Sequence, residues 1–188
     1  MLLGAAILVL AWAVAMVCDA EHLNTAGYLV ELTSGRVDIA WMPAVAFLLS
    51  AAVAFATGSS WATMGLLIPL VINVAYGLMR AEATMTAGLL IDRQPLMLAS
   101  IGGVLAGSIL GDHCSPISDT TVLSSVAADC DHIDHVITQL PYALSVGLVA
   151  LVVGCVPVGL GVPWLICLPL GCAASTVIVR LVGRRADA

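Results

Sequence analysis

Two aspartates, Asp112 and Asp119, stand seven residues apart in a stretch enclosed by apolar sequence on both sides. The stretch reads Gly111-Asp112-His113-Cys114-Ser115-Pro116-Ile117-Ser118-Asp119-Thr120-Thr121. An ionised carboxylate at membrane depth costs at least ~2.5 kcal/mol, so such residues face a cavity or a partner and mark ion pathways by default. The stretch offers two carboxylates, the hydroxyls of Ser115, Ser118, Thr120 and Thr121, and backbone carbonyls freed by the break at Pro116. Such an all-oxygen set suits a small hard cation such as sodium. A carboxyl group taken out of water favours its protonated form. One site can then hold either a proton or, once ionised, a sodium ion, and that competition alone couples the two. Asp112 would lie at a helix C-terminus, which opposes negative charge, so a bound cation would stabilise it. Asp119 or Ser118 has a plainer alternative, capping the half-helix that follows. His113 reads either as a proton-relay group or as an imidazole bonded to a backbone carbonyl.

Those groups need helices to hold them. Pro95 opens a helix to about Leu110, in which Gly102, Gly103 and Gly107 let another helix approach closely. Pro116 removes a backbone donor and clashes with the preceding turn, so helix is expected to stop near Gly111 and resume near Ser118, running to about Ala127. Upstream, Ile39–Met79 is centred on Thr57-Gly58-Ser59-Ser60, small residues that continue a helix poorly. This segment reads as two spans joined by a tight turn or as a re-entrant hairpin, and the absence of a charged turn residue favours the hairpin. Its tip, Thr57, Gly58 and Ser59, would bring further hydroxyls and carbonyls to the break from the opposite side. Broken helices in transporters hold coupling ions through such freed carbonyls and half-helix ends.

The solvent these helices require follows from composition. The chain is 61% hydrophobic and 10% charged, against about 25% charged in a soluble domain. Its mean hydropathy is +1.10. Charges are missing from Met1–Cys18, Ile39–Met79, Gln94–Gly111 and Val136–Val179, and a crossing needs about 20 apolar residues. Met1–Val17 is expected to be a first span rather than a signal peptide, since it lacks a basic start. Cys18–Asp38 is a polar connection with a short interfacial helix over Thr25–Leu32. Arg80–Arg93 is a second connection, Val136–Val156 a span, Pro157–Pro163 a turn and Trp164–Val182 the last span. The fold expected is an all-α integral membrane domain over residues 1–188. It has about four crossings, one broken by an unwound segment (95–128), plus a re-entrant hairpin (39–79), with the last spans near 136–157 and 164–182. The lipid bilayer is the implied partner.

Other classes fit less well. A net charge of -6 argues against nucleic acid. Arg180, Arg184 and Arg185 read as a cytoplasmic stop after the last span, though Arg36, Arg80 and Arg93 balance them. Cys18, Cys155, Cys167 and Cys172 lie in or beside apolar runs and behave as small hydrophobes. No zinc site or other cofactor is expected. The one tempting group is Cys130, His132 and His135, better read as a polar loop whose aspartate caps the next helix. An intramembrane aspartyl protease would use two aspartates. Here Ile109 stands where a Gly-x-Gly-Asp motif needs glycine, and the two aspartates share one segment, so no enzyme is expected.

The string GDHCSPISDTTVLSS, followed by CDHIDHVITQLPYAL, closely resembles the NhaC-type sodium/proton antiporter family, and FATGSSWATMGLLIPL is similar to that family's hairpin segment. Together they span Phe55–Leu144. The resemblance implies a multi-pass antiporter of the cytoplasmic membrane, built from two inverted repeats whose hairpins and unwound helices meet at the ion site. It assigns Asp112, Ser115, Asp119 and Thr120 to the unwound helix and Thr57, Gly58 and Ser59 to the hairpin tip. Relatives that exchange malate or lactate leave an organic-acid antiporter as an alternative. Family members are more than twice as long, so this chain looks like one repeat. An N-terminal repeat or a second polypeptide would complete it, a homo-oligomer is left open, and a non-transporting fragment is the remaining alternative.

Overall fold

The computed structural model describes residues 38–83 and 94–183, with isolated positions before residue 38. The expected first span at Met1–Val17, the connection before Asp38, the segment 84–93 and the Arg184–Arg185 tail lie outside the described residues. The rest is helical. A 3-10 turn at Ile39–Trp41 leads into α1 (Met42–Thr57), followed by α2 (Ser60–Ala83), α3 (Gln94–Cys114) and α4 (Asp119–Ala127). Then α5 (His132–Val149) passes through a π-helical turn at Ala150–Cys155 into α6 (Val156–Gly159), and α7 (Trp164–Val182) follows. Among the described residues, five stretches are long and apolar enough to cross a membrane: Ile39–Thr57, Ser60–Arg80, Pro95–Cys114, His132–Gly159 and Trp164–Leu181. The chain is an all-helical, multi-pass membrane protein.

The turn between α1 and α2 forms where the small residues put it. Gly58 ends α1 in the left-handed region at φ +67°, its N–H donating to the Ala54 carbonyl (2.8 Å), which is a glycine C-cap. Ser59 then accepts the Ala62 N–H on its hydroxyl at 3.4 Å and α2 begins. The two arms are 19 and 21 residues long, each the length of a full crossing. In α2, Leu67, Val71, Val74, Ala75 and Leu78 recur at helical spacing and pack with Ile39, Met42, Ala46 and Val104 in one buried cluster.

Helices α1 and α3 approach each other closely. A side chain on Gly103 would meet the Pro43 carbonyl, one on Gly107 the Phe47 carbonyl, and one on Gly111 the Ala51 carbonyl. The two numberings rise together, so the helices run parallel, in a register offset by sixty residues. Glycine every fourth position removes the side chains that would hold the backbones apart. Extended by one more step, this register sets Ser115 beside Phe55, and so brings the break to the hairpin tip.

Four boundaries differ from the sequence expectation. Helix α2 runs on to Ala83, past the connection expected to begin at Arg80. Helix α3 continues to Cys114 rather than stopping near Gly111, because the residue before a proline is the first that the ring pushes out of helical geometry. Helix α5 starts at His132 rather than Val136, because Asp131 caps it, accepting from Ile133 N (2.8 Å) and Asp134 N (3.2 Å). The turn expected at Pro157–Pro163 begins later, after Gly159. Pro157 is accommodated because the π-helical turn before it has already shifted the hydrogen-bond register. The long helix then returns along the α1–α3 pair, with Gly147 against Leu110 and Gly159 against the Ala40 carbonyl. Most of α7 is exposed, including Leu165, Ile166, Leu168 and Leu170, as expected of a lipid-facing helix.

Candidate ion-binding site

The break between α3 and α4 is four residues long, Ser115–Ser118, and two internal bonds shape it. Ser115 N–H donates to the Asp112 carbonyl (3.1 Å) and Ser118 N–H to the Ser115 carbonyl (3.3 Å). Ser118 is the N-cap of α4, so the second half-helix points its N-terminus, with its positive end, at the break. The capping residue is thus Ser118, and Asp119 is the first residue of the helix.

Asp112 is 2% exposed, one turn before the break. Its Oδ1 accepts from the Ser118 hydroxyl at 2.8 Å and its Oδ2 from the Thr120 hydroxyl at 2.7 Å. Those two hydroxyl oxygens are themselves 2.8 Å apart. Four oxygens therefore make three close contacts. An ionised carboxylate leaves only two protons, one per hydroxyl, to fill them. Both are spent on the carboxylate, so the Ser118–Thr120 contact then has no proton in it. A third proton, on the carboxyl group, closes the ring; a cation between the oxygens would relieve the same deficit. Thr121 adds a hydroxyl 2% exposed with no hydrogen-bond partner among the described residues.

The hairpin tip docks on the break by its backbone. The Ser115 hydroxyl donates to the Phe55 carbonyl at 2.8 Å, and a Cβ on Gly58 would come within 2.8 Å of the Ile117 carbonyl oxygen. The tip's hydroxyls stay within the hairpin. Thr57 donates to the Val53 carbonyl at 2.9 Å and lies 3.5 Å from the Thr63 hydroxyl, while Ser59 caps α2. Of the residues singled out in the sequence, Asp112, Ser118 and Thr120 share one cluster, with Ser115 and Gly58 at the tip contact. Thr57 and Ser59 face their own helices. Asp119 is exposed at the start of α4, and no hydrogen bond ties its side chain to Asp112 among the described residues.

His113 takes the plainer of its two readings, with Nδ1 2.9 Å from the Ile109 carbonyl. The loop aspartate that caps α5 is Asp131, and among the described residues no three histidine, cysteine or acidic side chains gather as a metal site. The sequence reading missed His132 as a contact of the break. Its Nε2 lies 2.7 Å from the Pro116 carbonyl and its Nδ1 3.1 Å from the Ser125 hydroxyl. Sixteen residues separate His132 from Pro116, and nothing in spacing signals that pair.

Comparisons with known proteins agree with this architecture. The Na+/H+ antiporter family matches residues 1–160. An uncharacterized protein of Haemophilus influenzae is 43% identical over 141 residues, 75% of this chain and 24% of that protein. The arginine/ornithine antiporter ArcD of Halobacterium salinarum is 38% identical over 107 residues, 57% of this chain and 19% of its own length. An uncharacterized Na+/H+ antiporter of Haemophilus influenzae is 36% identical over 100 residues, 51% of this chain and 18% of its own. The matched stretches thus span about a quarter or less of these relatives. No solved structure matches the chain.

Proposed function

We propose, from the premise that this chain belongs to the Na+/H+ antiporter family, that Asp112 is the carboxyl group at which a sodium ion and a proton compete. Family membership makes the chain part of a secondary transporter of the antiporter kind rather than an enzyme. The observation that carries the finer reading is the oxygen cluster, which has three contacts and only two protons when Asp112 is ionised. A proton on the carboxyl completes it in one state, and a hard cation held by Asp112, Ser118 and Thr120 completes it in the other. Binding one excludes the other, and exchange follows if the site faces the two sides of the membrane in turn. Asp119, on the exposed start of α4, serves on this reading as an entry carboxylate rather than a second ligand.

The matched stretches cover a quarter or less of the relatives' length, which supports a transporter with a further part. We assign it the complementary repeat, in the same chain or in a second polypeptide, within the cytoplasmic membrane. Rocking of one repeat against the other would alternate access to the break.

The test is sodium-driven collapse of a pH gradient in everted vesicles from an antiporter-deficient host, with the intact transporter expressed. Asp112→Asn should abolish the response, while Asp129→Asn, in the exposed turn before α5, should leave it nearly intact. Equal effects from the two would refute the assignment of the site. A second reading is exchange of an organic solute, favoured by the 38% identity to an arginine/ornithine antiporter and by the resemblance to organic-acid exchangers. It predicts counterflow of labelled arginine, ornithine, malate or lactate with no response to sodium alone.

A further inference from the structure

The break is fixed from two sides, and only one of them belongs to the hairpin. On that side Ser115 donates to the Phe55 carbonyl. On the other, the Pro116 carbonyl is taken up by His132 Nε2 at 2.7 Å. A carbonyl oxygen can only accept, so Nε2 carries the proton in this contact. The imidazole is itself well placed. His132 is the first residue of α5, held there by the Asp131 cap, and its Nδ1 lies 3.1 Å from the hydroxyl of Ser125, a buried residue in the last turn of α4. One ring thus joins the break, the end of α4 and the start of α5. The hydroxyls that bond Asp112 sit two and four residues after Pro116, on Ser118 and Thr120.

We propose that His132 is a positioning residue for the ion site: by holding the Pro116 carbonyl, it keeps the Ser118 and Thr120 hydroxyls on Asp112. The inference rests on the reading of Asp112 as the exchange carboxyl, and it assigns His132 no contact with the ion. It also makes α5 the element that must move, or let go, whenever the break rearranges. Loss of the ring should weaken sodium binding more than it slows the maximal rate, because the carboxyl remains while its hydroxyl partners become less well placed.

The experiment compares His132→Ala, His132→Gln and His132→Asn in the intact transporter, with membrane abundance recorded. The readouts are the sodium concentration for half-maximal exchange and the maximal rate. His132→Ala should raise that concentration about tenfold, ~1.4 kcal/mol, with the maximal rate within threefold of wild type. Glutamine, whose amide nitrogen can reach where Nε2 sits, should recover most of the affinity. Asparagine, one methylene shorter, should not, and this pair carries the test if the alanine variant fails to reach the membrane. In a Thr120→Val background, His132→Ala should cost less than it does alone, since one of the two hydroxyls it positions is already gone. Wild-type sodium affinity in the alanine or asparagine variant, or strictly additive effects with Thr120→Val, would overturn the proposal. If Asp112→Asn itself exchanges normally, the site assignment has failed. If Asp112→Asn is inactive while every His132 variant behaves as wild type, only the role of His132 has failed.

Discussion

Thr120→Val is the substitution that most directly probes the oxygen cluster. Valine keeps the size and branching of threonine and removes only the hydroxyl, so the α4 backbone has no reason to move. The lost contact is the 2.7 Å bond to Asp112 Oδ2. A hydrogen bond to a charged group contributes ~1.5–3 kcal/mol. The bond is only partly buried, so the lower end of that range applies. At about 1.4 kcal/mol per tenfold, the sodium concentration for half-maximal exchange should rise about tenfold. The proton-bound state suffers less, because a neutral carboxyl can donate to the Ser118 hydroxyl and needs no second donor. Competition therefore tilts towards the proton, and the defect should be larger at the acidic end of the pH range than at the alkaline end. The assay is the sodium dependence of pH-gradient collapse in everted vesicles at several fixed pH values. Thr120→Ser, which returns the hydroxyl, should restore the wild-type curve. Sodium affinity within twofold of wild type in Thr120→Val, with Asp112→Asn inactive, would show that the exchange carboxyl does not depend on this cluster.

Other outcomes follow from the backbone contacts. Gly107→Ala should destabilise the protein and lower its abundance, because the new Cβ meets the Phe47 carbonyl and the Ser50 hydroxyl. Gly102→Ala, with nothing within 4 Å of the new Cβ, should be neutral or stabilise by up to ~1 kcal/mol through helix propensity; thermal unfolding of the two variants in detergent checks the contrast. Gly58→Ala and Gly161→Ala both place a side chain at positive φ, a strain of ~1–2 kcal/mol. Only at Gly58 does the Cβ also meet the Ile117 backbone, so only Gly58→Ala should impair exchange beyond its loss of stability, as read in the vesicle assay at matched membrane abundance. Asp131→Ala removes the acceptor for two N–H groups at the start of α5 and should cost ~1 kcal/mol, measured as a lowered midpoint in the same unfolding experiment.

What the sequence disclosed depended on whether the signal was local. Asp112, the proline break and the small-residue tip were legible because each violates the rule of its own surroundings: a charge in apolar sequence, a proline in a helix, hydroxyls where leucine would be expected. That an aspartate of the loop before α5 caps the helix was legible too, but not that it was Asp131. Helix ends were misjudged by three or four residues where a neighbour decided them, as the π-helical turn did for Pro157 and the Asp131 cap for His132. The roles of the hydroxyls were less legible still. Thr57, Ser59, Ser118 and Thr120 look alike in sequence, yet the first two bond their own hairpin and the last two bond Asp112. Only the sixty-residue register between α1 and α3 decides which side of the tip meets the break, and it is carried by Gly103, Gly107 and Gly111.

That register has a consequence for how the site can work. Tip and break are joined through backbone, by the Phe55 carbonyl on one side and the close approach of Gly58 to Ile117 on the other. The tip offers only backbone to this joint and one short side chain, Ser115, bridges it, so it transmits movement better than a pair of long side chains with many rotamers. The parallel packing of α1 on α3 extends the same rigidity away from the site. Hairpin and α3 are then expected to travel as one body during exchange. Asp112 lies in the last turn of α3, while its partners Ser118 and Thr120 lie at the end of the break and the start of α4, beyond the last of the glycine contacts, so α4 and the His132 anchor are the parts free to rearrange. Alternating access on this architecture places the flexible element on the α4–α5 side of Asp112, and substitutions there should alter sodium affinity while substitutions along the glycine stripe alter stability.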